Sequence, residues 1–462
     1  MYAKPLLMLL ISWGLTSGDM PRGTARRGIQ GGMPPWSQGA GSCPAREREA
    51  GSEANVGRGK REAGSPSKVA GGVLYSKNPD GLENDKPMEG VRVLFRLIGG
   101  LIIVPVRING SRPLNMILDT GMSARIVFLF HSELGQEIGL KYAQEVELGG
   151  AEGEQGRPKA SLAVGAQVEI SGLVQTNQQI VVMNEPRETS HWTFDGIIGK
   201  SILDSYAVEI DYQRSFLIIH DPFLFKPEDS APAIPIALKN GLPVIDASLD
   251  TEQEKGIPIK LIVDLGNRNS LVFNVNPKKK IHFPKRMLST VIGRGVQGEL
   301  PGGVGRLPKL KIGEFSLEDV IALFAPEEGN TGAQSAGYVF DGNIGYGVLE
   351  RFRVVFDYPR RRMFLIPWKK TFQPFEFNML GLSYEQRMDQ SLHVRSVIDG
   401  SPAAEKGIRA GDFITALNCR DLKEYEFRDV EEHFRGENKD IELTLLRDGK
   451  LMFVRLTLKR LI

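Results

Sequence analysis

Cysteine is nearly missing: the chain has two in 462 residues, Cys43 and Cys419. They stand far apart, one of them in a polar low-complexity stretch, so they give no disulfide framework and no thiolate metal site. The six histidines show neither HExxH nor any paired ligand spacing, so a structural zinc is not expected, and no cofactor is called for. An excess of one charge is also missing. Fifty-eight Lys and Arg face 56 Asp and Glu, a formal +2, with no general pull towards nucleic acid or an anionic membrane. The densest basic cluster, PKKKIHFPKR at Pro277 to Arg286, reads as a solvated loop.

Long apolar runs are absent too. Leu6 to Leu15 is too short to span a bilayer. It follows Lys4 and precedes Thr16-Ser17-Gly18, the layout of a secretory leader over residues 1–18. That expectation places the protein outside the cytoplasm, secreted or in a periplasm or cell envelope; a misassigned start codon is the alternative. Residues 19–90 are rich in Gly, Arg, Ser, Pro and Glu. They hold too little apolar surface to offset their ordering entropy and are expected to be disordered.

What is present is a repeat. MILDTGMSARIVF, at Met116 to Phe128, is echoed by LIVDLGNRNSLVF at Leu261 to Phe273. FDGIIGKSILDSYAVEIDYQR, from Phe194, is echoed by FDGNIGYGVLERFRVVFDYPR, from Phe340. The first offset is 264 − 119 = 145 and the second 341 − 195 = 146. Two separated landmarks keeping one spacing indicate a tandem duplication. Each copy reads as mainly β: LIIVPVRINGSRPLNMIL turns at Asn109-Gly110, a step that tolerates positive φ twice. Short helical turns are expected at Lys200 to Asp204 and Tyr346 to Arg351.

An aspartate ending a strand can simply cap a turn. Duplication adds a second reading, in which two copies about a pseudo-twofold axis bring Asp119 and Asp264 together. Two close carboxyls cannot both ionise easily and share a proton. One then acts as base towards water while the other donates to the carbonyl under attack.

Met116 to Phe128 resembles the active-site strand of retropepsin-like aspartic peptidases, and Phe194 to Gly199 their hydrophobic-hydrophobic-Gly segment. The resemblance covers roughly Val91 to Trp368. It implies two β-barrel-like lobes forming a bilobal pseudodimer, over residues 91–226 and 227–370, and a monomer whose partner is internal. It implies Asp119 and Asp264 as catalytic residues, with Thr120, Gly121 and Gly266 supporting them. Glycine-rich flaps are matched by Gly149 and Gly150 and by Gly293 and Gly295, which read equally as ordinary hairpin loops. The chain departs from the family at Leu265, where Thr or Ser is usual, at Met122 and Asn267, and at Asn343 before Gly345.

The end of the chain, 374–462, resembles a PDZ domain of the bacterial protease-associated type. LGLSYEQ at Leu380 to Gln386 and SPAAEKGIRAGDFITALN at Ser401 to Asn418 carry the match. The resemblance implies a small α+β domain whose Gly381, Leu382 and Ser383 offer N–H groups to a peptide C-terminus. Ile408 and Phe413 read as core. The combined expectation is an aspartic endopeptidase acting on polypeptide recruited by the PDZ domain. The alternative is a catalytically impaired peptide-binding scaffold, suggested by Leu265. The partners are polypeptides, with no nucleic acid and no transmembrane segment.

Overall fold

Short alternating runs punctuated by Gly, Asn and Pro become strands in a computed structural model, which describes residues 6–7, 90–149, 159–184, 194–228, 231–275, 277–279, 281–295, 298–325 and 340–462. The expected leader and the polar segment that follows it lie outside the described residues, apart from Leu6–Leu7 and Gly90. Ile257–Val263 shows the pattern well, with alternate residues buried until the strand enters the core on both faces.

Both repeats close into six-stranded barrels of identical order. In the first, the cyclic order is Lys159–Ile170, Leu173–Met183, Val127–Leu129, Gly196–Ile198, Leu114–Leu118 and Leu101–Ile108, closed by Leu101–Ile108 on Lys159–Ile170. In the second it is Gly298–Ile312, Phe315–Ala325, Leu271–Asn274, Gly342–Ile344, Ile257–Val263 and Leu242–Asp250, closed by Leu242–Asp250 on Gly298–Ile312. The hairpin at Asn109-Gly110 forms with φ of 49° and 76°, values a β-branched residue would resist. Helical turns follow each Ile-Gly, at Lys200–Leu203 and Tyr346–Leu349.

The barrels are joined by a third sheet of six strands, three from each repeat. Its order is Ala233–Pro235, Arg362–Pro367, Phe352–Asp357, Ala207–Asp211, Phe216–His220 and Gly90–Leu94. At its centre, antiparallel pairing sets Glu209 opposite Val355. Because 355 − 209 = 146, each residue faces its own counterpart, and the local twofold axis passes between them. One apolar core runs through both barrels and this sheet.

The last domain is a separate sheet with its own core. Ser401 caps the helix Pro402–Glu405 by accepting the Ala404 N–H at 3.3 Å. Leu382–Gln386 forms one edge of the sheet, beside Leu392–Val397. Ile408 is core, as expected, whereas Phe413 is partly exposed and stacks on His393.

Candidate active site

Equivalent loops carry the two aspartates. Asp119 N–H donates to Ile198 O at 2.8 Å, and Asp264 N–H to Ile344 O at 2.9 Å. Each strand therefore ends by handing its last N–H to the parallel strand of the second landmark. The next turn folds back, so that Gly121 N–H donates to Asp119 Oδ1 at 2.6 Å and Gly266 N–H to Asp264 Oδ1 at 2.8 Å.

The glycines are required by proximity. A methyl group on Gly121 would sit 2.8 Å from Asp264 Oδ1 and 3.0 Å from Asp119 Oδ1. The two oxygens are thus within 2.8 + 3.0 = 5.8 Å of each other. A methyl on Gly266 would strike the Asp119 carboxyl at 2.8 Å. At that separation the two carboxyls can share one proton. Both are almost wholly buried, at 4% and 2% exposure.

Burial raises the pKa of Asp119 above the usual carboxylate range, opposed by N–H groups of Gly121 and Gly266 and by the bond to Asp264. Asp264 is raised further, by burial first and then by the charge of Asp119 and the bond to it; Gly266 and Asn343 oppose this. The two carboxyls therefore titrate as one coupled pair, with Asp264 the more strongly raised of the two.

Thr120 crosses the axis: its hydroxyl donates to Val263 O at 2.7 Å and accepts from Leu265 N–H at 2.9 Å. Leu265 returns nothing of the kind and packs into the shared core at 2% exposure. Two of the sequence departures form a polar chain. Asn343 Nδ2 donates to Asp264 Oδ2 at 2.8 Å, and Asn267 Nδ2 donates to Asn343 Oδ1. Asn267 Oδ1 accepts the Asn269 N–H at 2.9 Å. Sequence reasoning counted both asparagines as defects of the motif. The available signal was that two polar residues stand where the first repeat has Met122 and Ile197, one on the Asp264 loop and one on the strand paired beside it.

The flap glycines are placed less informatively. Gly149 ends the strand Tyr142–Gly149, and Gly150 lies outside the described residues. Gly293 and Gly295 sit in the hairpin of Met287–Gly295 with Gly298–Ile312, beyond a bulge after Val291. Nothing described brings any of them to the carboxyls.

In the last domain, the N–H groups of Gly381 and Leu382 already have a partner. Asn378 Oδ1 accepts from them at 3.0 and 3.2 Å, and its Nδ2 donates to Leu382 O at 2.8 Å. A carboxamide thus occupies the loop where a peptide carboxylate was expected. Ser383 continues into the ladder opposite Ser396. The edge strand also meets the barrels. Gly99 N–H donates to Gln386 Oε1 at 2.8 Å, and Glu385 lies 4.0 Å from Arg268 on the Asp264 loop. Tyr346 of the second repeat packs on Phe427 with ring centroids 6.0 Å apart.

A family model for aspartyl proteases matches residues 104–202 and again 252–348, and a PDZ-domain model matches 378–458. The aspartyl-protease model thus matches twice, once in each barrel, and the PDZ model matches the domain that follows. A "Probable periplasmic serine protease do/HhoA-like" of Haemophilus influenzae is 32% identical over 80 residues. That match covers 17% of this chain and 17% of the relative, so the chain spans about a sixth of the relative's length. Among the described residues no helix is long and apolar enough to cross a membrane.

Proposed function

We propose that the protein is an aspartic-type endopeptidase, acting on polypeptide outside the cytoplasm. The observation that carries the reading is the pair of buried carboxyls on equivalent loops, with oxygens within 5.8 Å of each other and both pushed above the usual carboxylate range by burial. Ionised Asp119 takes a proton from water as its oxygen attacks the peptide carbonyl carbon. Protonated Asp264 gives its proton to the carbonyl oxygen. The tetrahedral diol collapses by breaking C–N, the amine takes the proton held by Asp119, and a diol proton returns to Asp264, so no covalent intermediate forms. The PDZ domain holds extended polypeptide, in keeping with the peptide-binding role of such modules. The extracytoplasmic reading rests on the leader pattern and on the printed name of the relative.

A second reading, a binding scaffold that retains the protease fold, is favoured by the one-sided threonine grip. Cleavage of a peptide library between pH 3 and 8 decides between them. Asp119→Asn and Asp264→Asn should each abolish hydrolysis, and the double variant should be no worse than either, because the pair works as a unit. Wild-type protein that cleaves nothing, or activity that survives Asp264→Asn, overturns the peptidase reading.

A further inference from the structure

The two lobes are not equivalent around their aspartates. In lobe 1 the positions flanking Asp119 are Met122 and Ile197, both apolar and buried. Their counterparts one repeat later are Asn267 and Asn343, equally buried at 0% and 3% exposure. A carboxamide in such a place costs roughly 1–3 kcal/mol if left unpaired. Here neither is unpaired, and the bonds form a line.

The direction of that line is fixed from its far end. The Asn269 main-chain N–H can only donate, so the group of Asn267 facing it at 2.9 Å must be the oxygen. The Asn267 amide nitrogen then faces Asn343, whose oxygen must receive it. The nitrogen of Asn343 is left to face Asp264 Oδ2, at 2.8 Å. Flipping either amide would set donor against donor. The ordinary ambiguity of amide orientation is thus removed by a backbone group. Asp264 has both oxygens held, Oδ1 by Gly266 N–H and Oδ2 by Asn343.

We propose that Asn267 and Asn343 are positioning residues. Together they form a one-sided amide relay that fixes the rotation of the Asp264 carboxyl and keeps Oδ2 a hydrogen-bond acceptor. The relay supports from within lobe 2 the aspartate whose loop lacks the hydroxyl that Thr120 supplies to the axis. Its donor also favours the ionised form of Asp264, offsetting part of the effect of burial. The proton on Asp264 is then held firmly enough to be present and loosely enough to be given up.

The other ionisable groups around Asp264 are few. Asp119 faces it across the axis. Tyr358 lies after the strand Phe352–Asp357, its phenol held well above the ordinary range by burial first and then by the charges of Asp204, Asp119 and Asp264. Arg268, on the same loop, turns to Glu385. None of these is altered by substitution within the relay.

The inference rests on the dyad reading for its kinetic consequence, though not for its titration. Asn343→Ile installs the lobe 1 residue but orphans the Asn267 amide. The double variant Asn343→Ile with Asn267→Met installs the whole lobe 1 pair and removes the orphan. In the double variant the midpoint of Asp264 should rise by about one pH unit, read by carboxyl carbon NMR of aspartate-labelled protein. The resonance is assigned by its loss in Asp264→Asn. In the peptidase assay the alkaline limb of the kcat profile should move up by the same amount. At the pH optimum kcat should fall roughly tenfold with KM unchanged. An Asp264 midpoint that stays or falls overturns the relay, whether or not the protein cleaves peptides. A midpoint that rises in a protein with no Asp119-dependent cleavage upholds the relay and overturns the peptidase. A fall in kcat with unchanged limbs and midpoint would mark the asparagines as packing only, and also overturns the proposal.

Discussion

At the scale of the residue, Leu265 decides how the axis is held. Thr120 bonds to both Val263 O and Leu265 N–H, so one hydroxyl already ties the loops together. By the repeat, the oxygen equivalent to Val263 O is Leu118 O (263 − 145 = 118). Leu265→Thr offers that oxygen a donor and completes the pairing. It also removes carbon from a fully packed core. Turnover should be preserved or raised, while thermal stability falls by about 1–3 kcal/mol. Steady-state kinetics beside calorimetry would read the two effects; a loss of turnover greater than the loss of folded protein would contradict this account.

At the scale of the element, the edge strand Leu382–Gln386 and its loop belong to a domain that the sequence announced plainly. Asn378→Ala should leave the N–H groups of Gly381 and Leu382 without their internal acceptor. Peptides ending in a free carboxylate should then bind several-fold more tightly than in wild type, with amidated peptides unchanged. Calorimetric titration of both peptide forms against both proteins is the check; equal effects on acid and amide would mean that the loop is not a carboxylate site.

The same elements show what the sequence can and cannot carry. Asn109-Gly110 and the helical turns after each Ile-Gly were legible because they are local consequences of backbone preference. The repeat made the neighbourhood of Asp119 and Asp264 legible as well, since duplication implies an axis. Asn378 was missed because its role depends on the shape of a turn and not on a motif. The contact of Gly99 with Gln386 was missed because 287 residues separate the partners. The amide relay was half visible: its residues stood out, but the sign of their contribution depends on which atoms face which.

At the scale of the whole molecule, Glu431 links the PDZ helix Phe427–His433 to the second lobe. Burial raises its pKa to about 7, Arg435 opposes the shift, and the charge of Glu350 from the lobe adds to it. Its side chain is 17% exposed, with Arg435 at 3.2 Å. The packed state therefore prefers the neutral carboxyl. That preference is fully expressed below the ordinary carboxylate range and is lost as pH rises through about 7. Glu431→Gln should thus gain stability relative to wild type between pH 5 and pH 8, by about 3 kcal/mol at most. Calorimetry of both proteins across that interval would show it, and a constant difference would remove Glu431 from the pH response.

The strand pair on the local axis sets terms for how such a gene can change. Glu209 opposes Val355, takes a bond from His220 at 3.0 Å, and pairs with Arg353 at 3.2 Å. Burial pushes its pKa up, but His220 and Arg353 outweigh burial and hold it below the ordinary range. The lobe 1 counterpart of Arg353 is Ala207 (353 − 146 = 207). Two copies of lobe 1 would therefore set Glu209 against Glu209 with alanine where the arginine should be. Two copies of lobe 2 would set valine against valine and leave each Arg353 without that carboxylate. Linkage in one reading frame let every position on the axis be inherited twice and diverge separately. Having diverged in charge, in hydroxyl and in amide, the halves now complement each other across the axis, and a dimer of either alone would lack the pairings that the other supplies.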